Sequence, residues 1–187
     1  MTESTKPTTR FGLETCQDMY EKLKWEAQRL EKDWNVYDTF NFVVTAYHLY
    51  ADWIKNCGSP EEAEKQRSLP EPAKMVMQSI IDIANGNKHW QLTRPGSLKH
   101  QVVTKVHEPI RGDWYAYFVA GPVVYVEFGD YILSMRVLKD LVLGYFKWIF
   151  EDGDTVFPQE LQNQLELCRI RTETLSPGPS PVNGRGD

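Results

Sequence analysis

Apolar residues recur at helical spacing along most of this chain, and the period shortens to that of strands only between about residues 101 and 128. Tyr20, Leu23, Ala27 and Leu30, with charges on the opposite face, predict a helix over Leu13–Lys32. Over Val36–Asn56 one stripe includes Phe40, Val43, Tyr47 and Ile54, and a second includes Phe42, Ala46, Leu49 and Trp53. A helix apolar on two sides belongs at the centre of a bundle. Gly58 suits its C-terminal end. Ser59-Pro60-Glu61-Glu62 then reads as a helix start, with a capping hydroxyl, a proline at the first position and acids in the first turn. Leu69–His89 forms the next helical segment, with Met75, Ile80, Ile81 and Ala84 on its apolar side. Pro95-Gly96 prevents its extension.

Three strands are expected after that break: Val102–Val106, Trp114–Val119 and Val123–Phe128. β-branched and aromatic residues dominate them, and short connections favour an antiparallel meander. Gly129-Asp130 is read as a turn into the last main helix, Leu133–Glu151, followed by an amphipathic helix over Pro158–Ile170. The fold class is α+β, mainly α: an antiparallel helical bundle with a small three-stranded antiparallel β-meander inserted before the last main helix. One domain is expected over residues 11–170. Residues 1–10 and the Pro/Gly-rich 171–187 are expected to be disordered tails, too polar to bury a core.

Composition narrows the partners and compartment. A net charge of -5 supplies no general basic field for nucleic acid. Cys16, Cys57 and Cys168 have no zinc-ligand spacing and are read as reduced thiols in a cytoplasmic protein. The polar N-terminus does not resemble a secretory signal, and Arg136, Lys139, Asp140 and Lys147 interrupt the most apolar run, so no membrane association is expected. No cofactor or metal is expected either.

The phosphate-loop, dinucleotide-binding, zinc-protease and serine-hydrolase motifs are absent. What chemistry there is centres on Asp82, Asn85, Lys88 and His89. On a continuous helix Asp82, Asn85 and His89 share one side, where a carboxylate and an amide can orient an imidazole for proton transfer. The same residues can equally end and cap a helix. His48 and Asp52, four residues apart, form a second candidate pair, or a simple surface contact. Tyr47 is adjacent in sequence and is not expected to face His48, so no aromatic cage is expected there. Arg94, Lys99, Lys105 and Arg111, near Trp90 and Trp114, suit base stacking or a protected hairpin edge.

The segment Asn85-Gly86-Asn87-Lys88-His89 resembles the polar-to-histidine half of the motif of the HEPN superfamily, compact helical bundles found among RNA-processing, toxin and anti-phage proteins. The active members place an arginine immediately before the polar residue; here that position is Ala84. The resemblance covers about residues 13–92 and implies a bundle that acts on RNA phosphate across a homodimer interface. His89 and Asn85 would be the catalytic residues, with Lys88 beside the phosphate. Without the arginine, the fixed bidentate phosphate partner is missing. Two functions therefore stay open: a defence-related or RNA-acting bundle with degenerate catalysis, and a non-catalytic module that binds a protein partner or itself through exposed Trp and Tyr. A metal-dependent enzyme built on His48, Asp52 and His89 ranks behind both.

Overall fold

The structure, a computed structural model, describes residues 12–88, 103–107 and 124–169. The chain folds as a mainly helical α+β bundle carrying a small antiparallel sheet. Helix α1 (Cys16–Lys32) begins at a capping box, in which the Thr15 hydroxyl accepts from the Asp18 N–H and the Asp18 carboxylate accepts from the Thr15 N–H. Helix α2 (Val36–His48) is capped by Asn35, whose Oδ1 accepts from the Asp38 N–H at 2.9 Å.

The two apolar stripes of α2 have the meaning their pattern predicts. Phe42, Val43, Ala46 and Leu49 are buried, and α2 packs against both α1 and α5 (Glu71–Lys88). The helix is not uniform, however. Leu49–Trp53 is a π-helical segment, and α-helical geometry resumes in α3 (Ile54–Cys57). Gly58 ends this run without the left-handed conformation usual for a helix-ending glycine: its φ is -69°. Its need for glycine is steric, because a Cβ there would lie 2.5 Å from the Ile54 carbonyl oxygen.

Helix α4 (Pro60–Arg67) starts as its sequence dictates, with Ser59 and Glu62 forming a reciprocal capping box. The surprise in this polar helix is Lys65, which is buried. Its ammonium donates to the carbonyls of Trp148 (3.2 Å) and Asp152 at the C-terminal end of α6 (Met135–Phe150). The last carbonyls of a helix lack intrahelical donors and carry partial negative charge, so a buried lysine satisfies both requirements there.

The sheet has the order β1-β2-β3, all antiparallel, with β1 Val103–His107, β2 Tyr125–Phe128 and β3 Tyr131–Ser134. A register shift between Val103 and Lys105 interrupts the first pairing. The expected strand over Trp114–Val119 lies outside the described residues. The third described strand is one that the helical reading of this region overlooked. Gly129-Asp130 does not lead into a helix; it is the two-residue loop of a hairpin that pairs Phe128 with Tyr131, and Gly129 has φ +53°. Tyr131 and Leu133 are buried while Ile132 is exposed, the alternation of a strand with one buried face. Ser134 then caps α6, its hydroxyl accepting from the Val137 N–H. The outer edge of β3 is covered by the chain leaving α7 (Gln159–Glu166): the Ile132 N–H donates to the Cys168 carbonyl at 3.2 Å, and Tyr131 bridges Arg169. Covering an edge removes a template for unwanted strand pairing.

The core is continuous from the helices to the sheet. Trp148, Phe42, Phe128 and Phe146 are its largest fully buried side chains. No helix among the described residues is long and apolar enough to cross a membrane. Both expected terminal tails lie outside the described residues.

Candidate functional site

Helix α5 positions the first candidate group. It continues through Gly86 to Lys88, so this glycine does not end the helix, and a Cβ there would meet open space. Along its last turns the exposure changes residue by residue. Asp82 is buried, Ile83 half-buried, Ala84 buried, Asn85 half-buried and Gly86 exposed.

Asp82 is tied to the sheet. Its Oδ1 accepts from Gln78 Nε2 at 2.9 Å, and its Oδ2 accepts from the Val103 N–H at 3.2 Å. A buried carboxylate that receives a strand N–H and a side-chain amide fixes β1 on α5 and satisfies groups that would be costly to leave unpaired. Ala84 has no solvent exposure and belongs to the core cluster. The position that holds an arginine in the active members of the superfamily that the segment resembles thus faces inward in this chain. Asn85 keeps partial access to solvent, and the backbone of Lys88 completes the helix. His89 lies outside the described residues, as do Trp90, Arg94, Lys99, Arg111 and Trp114 of the expected basic and aromatic cluster.

The second candidate group, His48 and Asp52, is formed as the spacing predicts. Nδ1 of His48 is 2.9 Å from Oδ2 of Asp52, and both side chains are substantially open to solvent. The expectation that Tyr47 would stay clear of His48 is corrected. Their ring centroids are 4.8 Å apart with planes inclined by 52°. Neighbouring helical residues point about 100° apart, yet flat rings extend far enough to touch at their edges. His48 is the last residue of α2, immediately before the π-helical segment, and Asp52 lies within that segment. Insertions of this type often accompany functional positions because they re-aim side chains. The pair is at the surface, where a helical His–Asp contact contributes a few tenths of a kcal/mol (about 0.3). Among the described residues no three His, Cys, Asp or Glu side chains converge to hold a metal ion.

Sequence reasoning missed a third group, at the corner where α1 turns into α2. Tyr37 is 81 % exposed, Val36 68 % and Trp25 56 %. The Arg29 guanidinium lies over the Trp25 ring, 5.0 Å from its centroid, and also pairs with Asp38 at 2.9 Å. The Asn35 amide, followed by Arg29, holds the Asp38 carboxyl below the usual carboxylate range. The corner therefore combines apolar rings with a fixed pair of opposite charges. The available signal was the apolar pair Val36 and Tyr37 in the first turn after the Asn35 cap.

A small cavity between α5, α6 and α7 is lined by Ala73, Met77, Leu141, Tyr145, Phe157 and Leu161 among others. Its walls are almost wholly apolar, and it offers no cluster of polar groups to orient a ligand. No family model, no curated protein and no solved structure matches this chain.

Proposed function

We propose that this chain is a HEPN-like bundle with degenerate catalysis, working as an interaction module that binds a second copy of itself through the α1–α2 corner. The observation that carries the reading is the complete burial of Ala84. A cationic phosphate partner at that position would sit in the core, out of reach of an RNA backbone. Asp82, engaged by Gln78 and the Val103 N–H, supports the same reading, because a carboxylate tied to a strand is committed to architecture.

The exposed corner supplies the binding face. Trp, Tyr and Arg are the residues in which interface energy concentrates; Arg29 lies over Trp25 and pairs with Asp38, and the exposed Tyr37 precedes Asp38 in the chain. Arg29 and Asp38, paired within one copy, leave the face without an unbalanced charge, which suits contact with an identical face. Analytical ultracentrifugation tests this. The wild-type chain is expected to dimerise in the micromolar range. The double variant Trp25→Ala, Tyr37→Ala is expected to dimerise at least about thirty-fold more weakly, the loss of about 2 kcal/mol that marks interface anchors. Equal association by both proteins, or a wild-type chain that stays monomeric at high micromolar concentration, overturns this choice of surface.

A further inference from the structure

The start of α1 and the end of α3 meet at one corner of the bundle, and each brings a cysteine. Cys16 is the first residue of α1 and Cys57 the last of α3. They are 41 residues apart in the chain, yet their sulfurs are 3.6 Å apart. Their surroundings differ sharply. Cys16 is buried, whereas Cys57 is exposed and its thiol donates to the Trp53 carbonyl at 3.2 Å. Burial foremost, followed by the adjoining Cys57 and the charge of Glu62, pushes the Cys16 thiol up to about 12, so Cys16 is held as a neutral thiol at physiological pH. A soluble oxidant therefore reaches Cys57 first, and the sulfur nearest to the product is that of Cys16.

We infer that Cys57 and Cys16 form a peroxide-responsive pair, with Cys57 the oxidised residue and Cys16 the resolving thiol, closing a reversible disulfide between α1 and α3. In the first step the Cys57 thiolate attacks one oxygen of hydrogen peroxide. The O–O bond breaks, hydroxide departs and takes up a proton, and Cys57 becomes a sulfenic acid. In the second step the Cys16 sulfur attacks the Cys57 sulfur. The S–O bond breaks, and the departing hydroxide leaves as water with the proton from Cys16. The two thiols together lose two protons and two electrons, and the peroxide becomes two waters. Two equivalents of a small thiol reverse the reaction by exchange. The sulfurs must close from 3.6 Å to about 2.0 Å, a movement within reach of a side-chain rotation at Cys57, which ends its helix at the surface. Cys168 serves as an internal comparison: it follows α7, and its thiol donates to the Gln164 carbonyl.

Intact-mass spectrometry with peptide mapping tests the pair. After peroxide treatment the wild-type chain is expected to lose two hydrogens and to yield a linked peptide pair containing residues 16 and 57, and a small thiol should restore the original mass. Cys168→Ser should behave identically. Cys57→Ser, a change at the surface, should show no two-hydrogen loss. Cys16→Ser should instead retain an added oxygen at Cys57, which a dione probe captures. Oxygen addition at Cys57 of the wild-type chain without the linked pair, disulfides between separate chains, or no reaction at Cys57 would each overturn the inference.

Discussion

Ala84→Arg is expected to leave little folded protein. The native side chain has no solvent exposure and lies in the core shared by the helices and the sheet. Arginine there adds several heavy atoms to a filled space, at a cost of about 1–3 kcal/mol in strain. It also takes a guanidinium out of water into a cluster of apolar side chains, at a cost of several kcal/mol more (~3 or above). The sum, about 4 kcal/mol or more, is a large part of the 5–15 kcal/mol that typically separates folded from unfolded domains. Circular dichroism should show a melting temperature lowered by about 10 °C or more, or a chain recovered only as aggregate. A variant that folds as well as wild type and gains RNA cleavage would place residue 84 at a working surface and contradict the proposed loss of catalysis.

The second large effect is expected at Lys65. Replacing it with methionine keeps the length of the side chain and removes the charge and all three donors. The Trp148 and Asp152 carbonyls then lose the ammonium that satisfies them at the end of α6. Methionine recovers part of the loss, because an apolar chain is cheaper to bury than an ammonium. The net destabilisation expected is about 2–3 kcal/mol, the scale of hydrogen bonds to a charged donor with their acceptors left buried. Lys74→Met is the comparison. Among the described residues Lys74 pairs with the exposed Glu71 on its own helix, and its replacement should change stability by no more than about 0.5 kcal/mol. Urea denaturation of the three proteins measures both values, and equal midpoints for the two variants would mean that Lys65 does not anchor α4.

These contrasts mark what the residues reveal locally and what only tertiary contact decides. The start of α4 is readable because Ser59, Pro60 and Glu62 interact within one turn. The central place of α2 is readable because two apolar stripes on one helix each need a partner to bury them, and α1 and α5 supply those partners. The π-helical segment at Leu49–Trp53 leaves no such trace, since its residues continue the same apolar pattern. β3 was masked by its neighbour: the apolar residues of Tyr131–Ser134 run directly into those of α6, and the helical period of the longer element dominates any window spanning both. Gly129-Asp130 was the local sign of the hairpin. In the candidate site, the His48–Asp52 pair follows from helical spacing alone. The engagement of Asp82 with Val103, the burial of Lys65 and the meeting of Cys16 with Cys57 join residues far apart in the chain, and spacing cannot report them.

The proposed loss of catalysis is tested most directly by incubating the purified chain and its His89→Ala variant with single-stranded and structured RNA, and following fragment formation over time. The expected result is that neither protein produces fragments above the protein-free control. Cleavage by the wild-type chain that disappears in His89→Ala would contradict the account, because His89 would then be acting on phosphate without the arginine.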